Sequence, residues 1–159
     1  DAGVGPVEVG TVCLGNTLAH IMDQDTLTQL FKGVRAVLLP GAPLIIQVLN
    51  YERLVHSGQR CLPLTFIQDE EGEAIFLRVM THHDDGSVTF TPSLLRYRKD
   101  GDPALEVITS HNVPLRGWKR AEMEAALDAA GFTARDLFGT MGQAPYADHD
   151  STDLVVVAR

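Results

Sequence analysis

Two apolar runs separated by one amphipathic stretch leave this chain few ways to fold. The runs are Val9 to Leu14 and Leu44 to Leu49. The second, Leu44-Ile45-Ile46-Gln47-Val48-Leu49, is nearly continuous rather than alternating. Such a run suits a parallel strand buried on both faces. Between the runs, Leu27, Leu30, Phe31, Val34, Val37 and Leu38 recur at helical spacing, with Gln29, Lys32 and Arg35 between them. Asp25 is placed to cap this helix, Gly33 weakens its middle and Pro40-Gly41 stops it. Strand, helix, strand is then one right-handed crossover unit. The first run ends in Gly15-Asn16 and the second in Asn50-Tyr51. Both pairs fall at the carboxyl edge of a sheet, where open α/β folds bind ligands. A glycine there lets backbone approach a ligand, and an asparagine both donates and accepts. A tight turn in which Asn16 satisfies its own backbone accounts for the same residues. Tyr51 reads equally well as a ring packed at the rim or as a substrate contact.

After residue 64 the pattern changes. Ala74 to His82, Ser87 to Tyr97 and Ala104 to His111 are strand-like runs punctuated by Asp85-Gly86 and Asp100-Gly101, strong hairpin signals. They predict a three-stranded antiparallel meander, residues 64–112, inserted into an α/β half-sheet made of residues 8–53 and 113–159. His82-His83-Asp84-Asp85 sits at a hairpin tip, where neighbouring side chains diverge, so a solvated turn is expected and no metal site. Trp118 opens a second amphipathic helix carrying Met123, Ala126, Leu127 and Ala130, with Gly131 just past its end. Lys119 and Arg120 at its start oppose the helix dipole. Phe132 to Phe138 and Leu154 to Val157 complete the strands, with a polar loop between.

Thirteen basic residues against 21 acidic ones give a formal charge of −8, which disfavours nucleic acid as a partner. No apolar run is long enough to span a bilayer, and no membrane partner is expected. Cys13 and Cys61 fit no disulfide framework or zinc spacing, so a reducing cytoplasm is the expected setting. Gly3, Gly5 and Gly10 do not make a dinucleotide fingerprint, because no strand precedes them and Pro6 follows.

The stretch Cys13-Leu14-Gly15-Asn16-Thr17-Leu18-Ala19-His20-Ile21 resembles the segment after the fourth sheet strand of class I S-adenosylmethionine-dependent methyltransferases, nearest to the glycine and sarcosine N-methyltransferase branch. Leu38-Leu39-Pro40-Gly41, Leu49-Asn50-Tyr51 and Ala129-Ala130-Gly131-Phe132 match further pieces in order. The resemblance implies a partial Rossmann-like sheet of strand order 4-5-7-6 with the last strand antiparallel. It also implies that the chain is the carboxyl-terminal part of such an enzyme, without the glycine-rich loop and the acidic ribose ligand. By resemblance, Leu14, Gly15 and His20 lie beside the cofactor, and Asn16, Asn50 and Tyr51 beside a small-molecule substrate. His20 reads equally as a residue that caps or packs. No catalytic residue is indicated. Leu49 stands where the glycine-methylating relatives carry a carboxylate-holding arginine, which argues against glycine as acceptor. S-adenosylmethionine is thus the expected cofactor of the complete enzyme, bound weakly or not at all by this chain alone. Association as a homodimer, or with the absent amino-terminal half, is expected because the first strand has an open edge. A non-catalytic interaction module using that edge is the competing reading.

Overall fold

The computed structural model describes residues 10–159. Residues 1–9, with the first residue of the run Val9 to Leu14, lie outside the described residues. The chain divides into two compact units. One holds the described residues up to Ser57 together with Arg116–Arg159, and the other is Gly58–Leu115.

The first unit is an α/β half-sheet. Its elements are β1 (Thr11–Cys13), a short 3-10 helix (Thr17–His20), α1 (Gln24–Val37), β2 (Leu44–Leu49), α2 (Tyr51–His56), α3 (Arg120–Ala129), β8 (Arg135–Phe138) and β9 (Asp153–Ala158). The strand order is β1-β2-β9-β8, which is the expected 4-5-7-6 arrangement. β1 runs parallel to β2, with Val12 opposite Ile45. β9 runs antiparallel to both neighbours, with Val156 opposite Ile46 on one side and Leu137 on the other.

The run Leu44–Leu49 buries one face more deeply than the other. Leu44, Ile46 and Val48 are in the core with Val156 and Ala158, while Ile45, Gln47 and Leu49 are half-buried. Leu27, Phe31, Val34 and Leu38 turn α1 toward that core, whereas Leu30 and Val37 of the same periodic set are exposed. The cap of α1 is Asp23, not Asp25. Its Oδ1 accepts from the Thr26 amide at 2.8 Å and its Oδ2 from the Thr26 hydroxyl at 2.8 Å. Such a cap contributes about 1 kcal/mol. Asp25 instead lies in the first turn, where its charge favours the dipole.

Trp118 precedes α3 rather than opening it, and is buried with its indole N–H donating to the Leu18 carbonyl at 3.0 Å. That bond ties the 3-10 helix to the start of α3. The basic start of α3 is compensated. The Glu122 carboxylate accepts from the Lys119 amide at 2.9 Å and pairs with Arg116 at 2.5 Å, and Arg120 pairs with Glu124 at 3.2 Å. At the other end Gly131 adopts φ +87°, so that the Phe132 amide reaches the Leu127 carbonyl at 3.0 Å and the Gly131 amide that of Asp128 at 3.0 Å. This paired closure needs a left-handed residue.

The second unit is an antiparallel sheet. Its central strands are β4 (Gly72–His82) and β5 (Ser87–Tyr97), flanked by β3 (Thr65–Asp69) and β6 (Leu105–Ser110), with β7 (Val113–Arg116) also pairing β5. It therefore contains the three predicted strands and adds two. Arg96, 5% exposed, closes the β3–β4 turn by holding both carboxylate oxygens of Asp69 (2.6 and 3.0 Å) and one of Glu71 (3.1 Å). Asp69 is held below the usual carboxylate range, first by its hydrogen bond to Arg96. No helix among the described residues is long and apolar enough to cross a membrane.

Candidate functional site

The site lies where β1 and β2 end. Gly15 and Asn16 are both left-handed, at φ +73° and +64°. Glycine takes that conformation freely, and asparagine is among the few other residues that tolerate it. A Cβ built on Gly15 would meet nothing within 4 Å, so its backbone faces open space.

Asn16 does not satisfy its own backbone. Its Oδ1 accepts from the Leu49 amide at 3.0 Å and its Nδ2 donates to the Tyr51 hydroxyl at 2.8 Å. The side chain therefore brackets the end of β1 to the end of β2. One amide hydrogen and one Oδ1 lone pair remain for a ligand. Gln47, the one polar residue in its strand, adds a second tie. Its Oε1 accepts from the Gly15 amide at 2.7 Å and its Nε2 donates to Asp153 at 2.7 Å. A polar layer thus runs across the rim from β1 through β2 to β9.

Asn50 and Tyr51 are 1% and 2% exposed. Asn50 caps α2, its Oδ1 accepting from the Arg53 amide at 3.2 Å. Its Nδ2 donates to the carbonyls of Asp148 at 2.8 Å and Ser151 at 2.9 Å. The Tyr51 hydroxyl meets Asn16, and burial pushes its pKa up. Leu14, Gly15 and His20 are exposed, and Asn16 is half-buried. The predicted residues therefore separate. Leu14, Gly15 and His20 present surface, Asn16 links that surface to the frame, and Asn50 and Tyr51 belong to the frame.

Four rim residues escaped sequence reasoning: Gln47, Asp153, Glu52 and Tyr146. The Tyr146 hydroxyl donates to Glu52 at 3.1 Å and lies 3.3 Å from Asn50 Oδ1. Burial, then the nearby Glu52 carboxylate, pushes the Tyr146 phenol far up, so it stays protonated. Gln47 alone had a local signal, as a lone amide in an apolar run.

S-adenosylmethionine offers an apolar and sulfonium middle between two polar ends. The open face at Gly15 and the exposed Leu14 fit a wall against that middle. The polar atoms of Gly15 and Asn16 are largely engaged by Gln47, Leu49 and Tyr51. Within residues 14–20 the His20 imidazole, the Thr17 hydroxyl lone pairs and what remains of Asn16 are left to meet a polar end. The residues fit one wall of the cofactor and not its charged groups. Among the described residues no group of three metal-ligating side chains comes together.

No protein-family model matches the sequence, and no curated protein matches it significantly. Solved structures do match. A S-adenosylmethionine-dependent methyltransferase from Clostridium acetobutylicum matches with TM-score 0.66 at 14% identity, over 93% of this chain and 56% of its own. The CcbJ methyltransferase from Streptomyces caelestis matches with TM-score 0.66 at 19% identity, over 100% and 63%. CalS10, an amino pentose methyltransferase from Micromonospora echinaspora solved with S-adenosylmethionine bound, matches with TM-score 0.63 at 15% identity, over 98% and 63%. The chain thus spans less than two thirds of the length of each of these structures. At such identities the likeness establishes the fold alone: a Rossmann-like α/β half-sheet with an antiparallel unit, an arrangement shared with these methyltransferase structures.

Proposed function

We propose that the chain forms the acceptor side and part of the cofactor wall of a S-adenosylmethionine-dependent methyltransferase acting on a small molecule. One observation carries the reading. The open left-handed turn at Gly15-Asn16 and the Asn50-Tyr51 pair end adjacent parallel strands and are joined by the Asn16–Tyr51 hydrogen bond. Methyl transfer from a sulfonium is an in-line displacement, in which the protein mainly orients the two reacting centres and keeps them dry. A rigid strand-end bracket suits that task. Leu14, Gly15 and His20 line the cofactor side, and Asn16 reaches the acceptor with its unused amide hydrogen and lone pair. Leu49 offers no carboxylate clamp, which argues against glycine as acceptor. Two of the similar structures are named for methyl transfer to sugars, CalS10 and the sugar N-methyltransferase KedS8 from Streptoalloteichus, and support a polar small molecule.

Among the described residues the strand ends supply the wall and few partners for the charged ends, so the chain's own affinity is expected to be millimolar, about −4 kcal/mol. Amide shift perturbation with S-adenosylmethionine tests this. Perturbations confined to Leu14–His20 at millimolar ligand are expected. Saturation at micromolar ligand would mean the chain completes the site by itself. No perturbation, or perturbation only in residues 58–115, would overturn the reading.

The competing reading, a non-catalytic module, draws on the far edge of β1. Among the described residues no strand pairs there, and Val12 is 63% exposed. It predicts association through β1 with no response to S-adenosylmethionine at any concentration.

A further inference from the structure

We infer that Trp118 is a positioning residue for the cofactor wall: its indole N–H sets the direction in which the 3-10 helix Thr17–His20 presents Thr17 and His20. The purpose of this device rests on the methyltransferase reading. The coupling between Trp118 and the 3-10 helix rests on geometry alone.

The 3-10 helix cannot fix its own direction. It has four residues, tied at its ends by the Ala19 amide on the Asn16 carbonyl at 3.1 Å and the Ile21 amide on the Leu18 carbonyl at 3.0 Å. A run this short has poor internal bond geometry and a nucleation cost it does not recover by itself. Leu18 and Ala19 turn inward, at 2% and 0% exposure, while Thr17 and His20 are exposed. Residues three apart eclipse on a 3-10 helix, so Thr17 and His20 share one side. A rotation about the helix axis carries both away from a ligand together.

Apolar packing of Leu18 and Ala19 resists such a rotation weakly, because it is not directional. A hydrogen bond is directional. The Leu18 carbonyl accepts from the Ile21 amide and from the Trp118 indole N–H at 3.0 Å, which takes up both of its lone pairs. The indole bond is buried, so rotation would strand a donor that has no water to turn to. Trp118 is itself held in place. It is buried, the Arg116 guanidinium lies 5.4 Å from its ring centre, and Arg116 pairs with Glu122 at 2.5 Å. Beside it the Gln24 side-chain amide donates to the Glu122 carbonyl at 2.8 Å, which fastens the first residue of α1 to α3. The segment from Leu18 to Gln24 is thus tied at both ends to the start of α3, and the indole bond is the tie that falls inside the 3-10 helix.

Residual dipolar couplings of backbone amides in the unliganded chain test the inference, with circular dichroism to verify folding. They report the direction of each N–H relative to the sheet, which a loss of stability without rotation does not move. Trp118→Phe keeps an aromatic ring and drops the N–H. In it the couplings of Leu18, Ala19 and His20 should depart from the native set while those of β2 and β9 hold. Its Ile21 amide should exchange about threefold to tenfold faster, the share of one hydrogen bond. Leu127→Val trims the same core from α3 and leaves the indole bond intact, so its 3-10 couplings should match the native ones. Native couplings at Leu18–His20 in Trp118→Phe would overturn the inference, and so would an equal departure in Leu127→Val. Should Trp118→Phe unfold, the native chain decides through its one tryptophan. The indole N–H should then resist exchange with heavy water, and exchange at the rate of free tryptophan would refute the coupling. Addition of S-adenosylmethionine forms a separate arm. Perturbation at Thr17 and His20 should weaken several-fold in Trp118→Phe, and equal perturbation in both chains would refute the positioning role. Shifted couplings in Trp118→Phe with no ligand response in the native chain would instead sink the methyltransferase reading and leave the coupling standing.

Discussion

Replacing Asn16 with alanine removes two strand-end hydrogen bonds and puts a Cβ-bearing residue with no compensating side chain at φ +64°. The half-buried Leu49 amide loses its Asn16 acceptor, a cost of about 1–3 kcal/mol. The lost donation to Tyr51 adds about 0.5–1.5 kcal/mol. The left-handed backbone adds roughly 1 kcal/mol for alanine relative to a residue that tolerates it. The expected total is about 2.5–5.5 kcal/mol, a large part of the ~5–15 kcal/mol that holds a domain together. At roughly 2–4 °C per kcal/mol for a chain of this size, the midpoint falls by about 10 °C. Urea denaturation reads the loss as a lower midpoint at unchanged slope. Asn16→Gly restores backbone freedom and should recover about 1 kcal/mol of the loss. Asn16→Asp keeps an acceptor for the Leu49 amide and accepts from the Tyr51 hydroxyl, so it should be mild at neutral pH. If Asn16→Ala unfolds within about 0.5 kcal/mol of the native chain, a typical surface value, the bracket does not hold the strand ends. The side chain would then be free for a purely substrate-facing role, and only turnover of an assembled enzyme would suffer.

Three further outcomes are expected. Gly139→Ala would drive a Cβ to 2.2 Å from Ser151 Oγ and 2.8 Å from its Cβ. It should destabilise by about 1–3 kcal/mol in thermal melts and loosen the Ala147 amide that Ser151 holds at 2.8 Å. Gly33→Ala meets nothing within 4 Å in the middle of α1 and should stabilise by about 0.5–1 kcal/mol in the same melts. Asp69 has a lowered pKa in the folded chain, so its contribution is fully present above about pH 4, the unfolded value, and is lost as pH falls through the folded value. Asp69→Asn should remove that part of the acid limb, seen as a shallower fall in stability below about pH 4 in pH-dependent denaturation.

The half-sheet was legible because apolar runs and helical periodicity are local signals. Leu44–Leu49 and Leu154–Val157 had to be buried strands, and their order followed from the resemblance. β3 escaped because every residue of Thr65–Asp69 is exposed, so burial imposed no pattern on it. α2 escaped because Asn50 was read as a rim residue when its side chain is a helix cap. The site was legible in position and not in role. That Asn16 would turn away from its own backbone depended on Tyr51, 35 residues away, and on an amide that β2 presents sideways. Tyr146 and Glu52 are 94 residues apart, and no local pattern announces a pair that only the closed sheet creates.

The placement of β9 between β2 and β8 sets the order in which a ribosome can deliver this fold. β2 is zipped along its whole length to Asp153–Ala158, roughly a hundred residues downstream. At about 5–20 residues per second of synthesis, the side of β2 that will receive β9 waits unpaired for about 5–20 s. During that interval the β4–β5 hairpin has already emerged and can close on neighbouring residues alone. The nascent chain therefore carries a finished antiparallel unit and an unfinished α/β one, with Ile46 and Val48 still lacking Val156 and Leu154, which will lie opposite them. In such an intermediate a stall in translation would leave the apolar edge of β2 open to aggregation.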